Sequence, residues 1–342
     1  MRVLRALIRL TPALRLTRVT TAFAAVANVW FVLLWTRAVA EEPGRAILRQ
    51  HPVWVQVIGG FFVGVGVYAF AAATNDIIDI RRDRALKRDR PIARGRISPE
   101  SAVVAVSVAL VAAGAGASVI GLWSVRLVMA VCVGTLFYNF AARHFPSARV
   151  VLLGLLYGAH MLVANPRLAF VWPVWVVMTH ALVVSALTHR LSGARPRLTR
   201  ASLAWALAGW AFWSAALLGV GVWRTGSLWP QWASWIGAVI VAALAAVFAV
   251  VAAVVARSSP AAQAADRVVR VGAFWLALYG GAWLLGQGEI AEGVGILAVA
   301  AAGFLGAVVL HEIALRLESP LDYRLDEPAD AATPTPGRRR SS

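Results

Sequence analysis

Three aspartates stand at helical spacing in this chain, Asp76, Asp79 and Asp83, inside the stretch NDIIDIRRDRALKRDRPIARGRIS that begins at Asn75. If one helix carries them, intervals of three and four residues place all three carboxylates on one face. Converging carboxylates repel one another, and a hard divalent cation with oxygen ligands relieves that repulsion. Mg²⁺ is the first candidate, because it is commonly shared between a few carboxylates and substrate phosphates. Arg81, Arg84, Arg88, Arg90 and Arg94 lie close in sequence, and guanidinium groups meet phosphate oxygens well. A bound diphosphate fits this combination. The plainer reading is a surface helix with exposed Asp and Arg pairs, each contributing roughly 0–1 kcal/mol.

The setting of the stretch separates the two readings. Only 14% of the whole chain is charged and 60% is hydrophobic, against roughly 45–50% apolar in a soluble domain. Apolar runs long enough to suggest bilayer crossings extend over Val19–Trp35, Val53–Ala73, Ala102–Leu122, Val125–Ala141, Val150–Val163, Ala169–Leu187, Ala201–Val222, Trp232–Ala256, Val268–Leu285 and Gly293–Leu310. Val150–Val163 is the shortest, and reads as either a tilted span or a re-entrant segment. The expected fold class is therefore all-α, a polytopic transmembrane bundle of nine or ten helices, because helices satisfy their own backbone polar groups in hydrocarbon. The charged stretch falls at the end of the second run, where a span meets water.

Loop charge sets the orientation. The N-terminal segment and the loops 75–98, 141–149, 189–200 and 257–267 are rich in Arg and Lys, and the loops between them are short or carry Glu41, Glu42, Glu289 and Glu292. Basic loops on alternate sides place the former, and both termini, in the cytoplasm. The net charge of +17 is thus spread between apolar runs rather than gathered on a soluble face, which argues against a nucleic-acid partner. The basic N-terminus followed by an apolar run has the look of a signal peptide, with AVA before Glu41 as a cleavage site. The run to Thr36 is longer than the usual signal core, and an uncleaved first helix is the favoured reading.

Several tryptophans, Trp35, Trp54, Trp123, Trp223 and Trp229 among them, fall near expected helix ends, as an interfacial belt does. Residues 1–317 are expected to form the membrane domain and 318–342, polar and Pro-rich, a disordered cytoplasmic tail. Cys132 is the only cysteine, so neither an intramolecular disulfide nor a thiolate metal cluster is available. His160 and His180 lie within spans without a second ligand at helical spacing, which favours hydrogen-bonded core histidines over metal ligands. Asn28 reads equally as a cavity residue or an interhelical hydrogen-bonding group. Nucleophile elbow, P-loop and zinc spacings are absent.

The order NDIIDIRRD, then RP, then GRIS resembles the first Asp-rich signature of the UbiA superfamily of intramembrane prenyltransferases; Asn75, Asp76, Asp79, Asp83, Arg90, Pro91, Gly95 and Ser98 match it. LTRVTTAFAAVANVW is similar to the family's first helix. LFYNFAARHFPSARVVLLGLLYGAH is similar to its fourth and fifth, with Tyr138 and Arg143 near a family Tyr and basic residue. The resemblance implies an Mg²⁺-dependent transferase working on an isoprenyl diphosphate donor and an aromatic or lipophilic acceptor, both in contact with membrane lipid. Asp76, Asp79 and Asp83 are implied as metal ligands and catalytic residues. Asn75, Arg90, Arg190, Arg195 and Tyr138 are implied to bind substrate. Phe23, Trp30, Phe62, Tyr68, Phe137 and Tyr157 are candidates to steady an allylic cation through their ring faces. The resemblance also implies an integral multi-pass protein, of a bacterial inner membrane, with the site facing the cytosol.

One departure stands out. Family members carry a second Asp-rich motif after the sixth helix, whereas this chain reads SALTHRLSGARPRLTR there, with no acid. That segment is similar to the loop of the EboC-like branch. Two accounts follow: Arg190, Arg195 and Arg197 replace the second cation, or the protein binds an isoprenoid or phospholipid without transferring anything.

Overall fold

The computed structural model of the chain describes residues 13, 14, 16–18, 22–86 and 90–318, with the backbone alone at 143, 307 and 310–318. The long helices are α1 Phe23–Ala38, α2 Val53–Ile78, α3 Pro99–Ile120, α4 Leu122–Phe140, α5 Pro146–Met161, α6 Trp172–Leu191, α7 Arg200–Thr225, α8 Trp235–Ser258, α9 Ala261–Gln287 and α10 Ile290–Glu318. Each apolar run expected from the sequence is one of them. Eight are long and apolar enough to cross a membrane; α1 and the apolar part of α10, Ile290–Gly306, are shorter. The segment from Pro146, extended by a 3-10 turn to Ala164, belongs to the eight, so the re-entrant alternative gives way to a span.

Helix ends follow local chemistry. Ser98, Thr199 and Ser234 cap α3, α7 and α8 by accepting a backbone N–H, and Pro99 and Pro146 enter the first turns of α3 and α5, where a missing N–H costs nothing. Gly226 and Gly288 close α7 and α9 in the left-handed region, at φ 74° and 93°. α10 is described through Glu318, the first residue of the expected tail, and 319–342 lie outside the described residues.

α1 is the post around which the bundle is built. It packs on α2, α5, α9 and α10, and Val29, Phe31, Val32 and Leu33 on it are wholly buried. α2 lies flat on α3 because small residues let the backbones approach: a Cβ at Gly59 would stand 2.8 Å from the Gly116 carbonyl, and one at Gly66 2.6 Å from the Ala109 carbonyl. α7 and α8 bury little of their surface and face lipid.

Trp35 departs from the expected belt. It is 1% exposed, stacks on Phe170 at 5.1 Å and donates its indole N–H to Glu42 at 3.0 Å, whereas Trp54, Trp123 and Trp223 are exposed as expected. Glu42 also accepts from the backbone of Ala169 and Phe170, at 2.8 and 3.0 Å, and so pins the α5–α6 link over the end of α1. This closes the end of the bundle opposite the Asp-rich stretch.

Candidate functional site

At roughly 1.5 Å per residue, the 26 residues of α2 span about 39 Å, more than the roughly 30 Å of hydrocarbon. Its last turn, carrying Asn75 and Asp76, therefore reaches the membrane surface. α2 is interrupted only at Asp79, after which Ile80–Ala85 resumes the helix. Backbone bonds Asp79 N to Asn75 O, 3.0 Å, and Asp83 N to Asp79 O, 2.8 Å, run through the interruption, so the three aspartates keep the helical spacing the sequence implied. Asp76 and Asp83 are buried and Asp79 half-buried.

The residues from Arg90 onward form a turn beside the end of α2. Arg94 N bonds to Arg90 O and Arg96 N to Pro91 O, both at 2.9 Å. Gly95 takes φ 70°, a conformation that suits glycine, and Ser98 caps α3. Ile92 anchors the turn in a small apolar cluster with Leu16, Ala73 and Ala102. Arg90, Gly95 and Ser98 thus each have a mechanical reason for their type.

Arg90 Nη1 stands 3.3 Å from Asp76 Oδ1, and Arg18 Nη2 stands 3.5 Å from the same oxygen. Leu16, in the same apolar cluster, fixes the segment that presents Arg18, itself held at φ 47°. The Asn75 side chain lies within hydrogen-bonding reach of the Asp76 carboxylate, and Asp83 adds its negative field. Asp76 Oδ2, buried, accepts no hydrogen bond among the described residues. A buried carboxylate oxygen without a donor is costly, and a cation is its natural partner.

Among the described residues, no three His, Cys, Asp or Glu side chains gather closely enough to hold a metal ion by themselves. The donor set therefore suits Mg²⁺ in the form it favours, held by one or two carboxylates and completed by phosphate oxygens and water. An all-protein cage is not what these residues make.

Three tyrosines from different helices come together in the interior. The Tyr157 hydroxyl on α5 lies within electrostatic reach of Tyr68 on α2, Tyr138 on α4 and Arg18, and all three tyrosines are half-buried in the interior. Arg149 Nε donates to the Tyr138 hydroxyl at 3.1 Å and holds that ring. Of the other aromatic candidates, Phe62 and Phe137 are 45% and 60% exposed and turn toward lipid, and Trp30 is tied to the Val57 carbonyl at 2.8 Å.

The loop between α6 and α7 gives a different picture. Alternating spans place it at the same end of the bundle as Asp76, yet Arg190, Arg195 and Arg197 are exposed, and among the described residues the ion pairs of Asp76 are with Arg18 and Arg90. His189, also in this region, is buried, its Nε2 2.9 Å from the Pro196 carbonyl, and organises the loop. The Arg143 side chain lies outside the described residues, as do Arg88 and Asp89. His180 is the hydrogen-bonded core histidine expected, with Nε2 3.0 Å from Gly272 O and Nδ1 3.2 Å from the Tyr279 hydroxyl. His160 and Asn28 are buried, each with one side-chain nitrogen lacking a partner. The sequence reading did not single out Arg18, although it stands in the stretch LTRVTTAFAAVANVW that resembles the family's first helix.

Comparison with known proteins bears on the family and the fold. The model of the UbiA prenyltransferase family matches residues 29–278. Among solved structures, one described as digeranylgeranylglyceryl phosphate synthase in membranes has 16% identity and TM-score 0.51, covering 82% of this chain and 99% of its own. It is similar in fold. A UbiA homologue from Archaeoglobus fulgidus bound to DMAPP and Mg²⁺ has 13% identity and TM-score 0.41, covering 88% of this chain and 99% of its own. A UbiA homologue from Aeropyrum pernix K1, in apo form, has 16% identity and TM-score 0.40, covering 86% of this chain and 98% of its own. No curated protein sequence matches.

Proposed function

The chain belongs to the UbiA prenyltransferase family, and from that premise we propose that it moves a prenyl group from an isoprenyl diphosphate to an aromatic or lipophilic acceptor at the cytosolic face of a bacterial inner membrane. The observation that carries this reading is the Asp76 carboxylate, with two arginines on one oxygen and the other, buried, without a donor. Asp76, Asp79 and Asp83 would share the Mg²⁺, one or two of them in direct contact with it and the donor's diphosphate and water completing its ligands, and Asn75 would support the Asp76 carboxylate. When bound, Mg²⁺ withdraws charge from the departing diphosphate. Arg90 and Arg18, already at the carboxylate, take up phosphate oxygens and stabilise the negative charge that builds there. The prenyl chain runs down among the helices, and Tyr157, Tyr68 and Tyr138 present ring faces and hydroxyls to the allylic carbon as its bond to oxygen lengthens. The acceptor attacks that carbon from the cavity side. Arg190 and Arg195 approach the diphosphate only after the α6–α7 loop moves inward.

A second reading rests on that loop. It holds no acid, and its arginines stand apart from Asp76, which favours a protein that binds an isoprenoid or phospholipid without ionising it. One experiment separates the two: binding of geranylgeranyl diphosphate to the purified protein with and without Mg²⁺, followed by release of diphosphate in the presence of candidate acceptors. Mg²⁺-dependent binding and release, both lost in Asp79→Ala, are the expected result. Binding that persists without release selects the second reading, and release unchanged in Asp79→Ala removes the aspartates from the site.

A further inference from the structure

α1, α2, α4 and α5 form a closed ring in which each helix packs on its two neighbours, while α2 and α5, on opposite sides, pack little against one another among the described residues. Tyr68, Tyr138 and Tyr157, from three of the four walls, come together inside the ring, and each keeps part of its surface uncovered. Close approaches seal the walls sideways. A Cβ at Gly64 would stand 2.7 Å from Val26 Cα on α1, and one at Gly134 on α4 would stand 2.8 Å from a methyl carbon of Leu156 on α5. Asp76 and Arg18 stand at the cytosolic end of the ring.

The ring also has a floor. The His160 ring on α5 lies within hydrogen-bonding reach of the Val63 backbone on α2, and both residues are buried. Immediately afterwards the chain leaves α5 in the 3-10 turn Leu162–Ala164, which packs against α1 and α4. Met161, Val163 and Ala164 are buried there. His160 thus joins the two walls that stand apart above it, and the turn closes on the other two. At this depth the ring is blind.

Both walls give the same depth. From Asp76 to Val63 is 13 residues of α2, about 20 Å at roughly 1.5 Å per residue, and from Pro146 at the cytosolic start of α5 to His160 is 14 residues, about 21 Å. A magnesium ion between carboxylate and phosphate takes up about 4 Å of this, at roughly 2.0–2.1 Å per bond. An isoprene unit adds four bonds and advances an extended chain by about 4–5 Å. The remaining length, about 16 Å, holds three to four units. We infer that His160, against Val63 and backed by the Leu162–Ala164 turn, sets the upper length of the donor's prenyl chain, so that the protein takes farnesyl and geranylgeranyl diphosphate and rejects longer polyprenyl diphosphates. The inference rests on the prenyl-transfer reading of Asp76 and adds a length to it. A cleft open to the bilayer would let the tail trail into lipid and would set no such limit.

The test is competition for Mg²⁺-dependent binding of labelled geranylgeranyl diphosphate to the full-length protein in lipid nanodiscs, with farnesyl, geranylgeranyl and octaprenyl diphosphate as competitors. Octaprenyl diphosphate is expected to compete roughly 10- to 100-fold more weakly than geranylgeranyl diphosphate, the effect of forcing extra methylenes into a closed core. His160→Ala opens the floor and should remove most of that difference, whereas His160→Gln, which keeps a donor for the Val63 backbone, should retain it. Equal competition by octaprenyl and geranylgeranyl diphosphate in the unaltered protein overturns the inference and leaves the reading of Asp76 standing, since Asp79→Ala still abolishes binding of both. A length preference unchanged in folded His160→Ala also overturns it. If His160→Ala does not fold, the competition series in the unaltered protein decides alone. Absence of Mg²⁺-dependent binding by every isoprenyl diphosphate overturns the reading of Asp76 and this inference together.

Discussion

Arg90 and Asp76 lie 14 residues apart in sequence and meet at 3.3 Å beside the end of α2, where Ile92 is seated against Ala73 in the small apolar cluster. Arg18 reaches the same oxygen from the N-terminal side, 58 residues away. A single buried carboxylate thus gathers three separate parts of the chain, of which the Asp-rich stretch supplies two.

Arg90→Ala removes one of the two cations on Asp76 and one of the donors proposed for the diphosphate. Charge-assisted hydrogen bonds are worth about 1.5–3 kcal/mol, so affinity for geranylgeranyl diphosphate in Mg²⁺ is expected to fall roughly 10- to 100-fold. Arg90→Lys restores part of it, since an ammonium keeps the charge and loses the fork. Calorimetric titration of the detergent-solubilised protein reads this directly, and unchanged affinity in Arg90→Ala would remove Arg90 from the diphosphate site.

Gly66→Val places a side chain where the Ala109 carbonyl and Ala113 Cβ already stand, at 2.6 and 2.9 Å from the first added carbon. Overpacking of this kind costs about 1–3 kcal/mol. The thermal midpoint is expected to drop by several degrees. Asp76 rides on the same helix and Ser98 caps its partner, so Mg²⁺-dependent binding should weaken as well. Gly114→Val, with open space around its Cβ, serves as the control and should change neither.

Much of this was legible in the sequence, and the exceptions share a cause. Apolar runs located every long helix because lipid imposes the helical solution on each one separately, with no need to know its neighbours. Asp76, Asp79 and Asp83 were legible because helical spacing is local. Arg18 was not, since its partner is fixed by Leu16 settling into the cluster with Ile92, a tertiary event. Six aromatics were equivalent by composition, and only the packing of α2, α4 and α5 separated Tyr68 and Tyr157 from Phe62 and Phe137. Trp35 and Glu42 each matched an interfacial pattern, a tryptophan at a helix end and an acid in an outer loop. Their pairing with each other draws both into the core.

Glu42 gives a pH dependence of stability whose sign is fixed. Burial holds its carboxyl above the ordinary value of 4.5, against the bonds from Ala169, Trp35 and Phe170 and the nearby charge of Arg224. The folded protein therefore takes up a proton here more readily than the unfolded chain does. The contribution of this group is fully present below the ordinary value and is lost as pH rises through the raised one. Relative to Glu42→Gln, which does not titrate, the thermal midpoint of the unaltered protein is expected to fall as pH rises from the ordinary value of 4.5 through the raised one. Parallel pH profiles for the two proteins would show that Glu42 does not govern the slope.

Tyr157 separates a role of its ring from a role of its hydroxyl. If the ring face steadies positive charge on the allylic carbon, Tyr157→Phe keeps that face and should keep most of the turnover, whereas Tyr157→Leu loses it. Cation–π contacts are worth about 0.5–2 kcal/mol, which predicts a roughly 2- to 30-fold fall in kcat for Tyr157→Leu with KM for the donor little changed, because the charge exists only near the transition state. A merely structural role would lower the amount of folded protein without moving kcat per active site. A hydroxyl role, through its neighbours Tyr68, Tyr138 and Arg18, would instead make Tyr157→Phe as slow as Tyr157→Leu. Single-turnover release of diphosphate from the two variants, normalised to Mg²⁺-dependent donor binding, decides among the three.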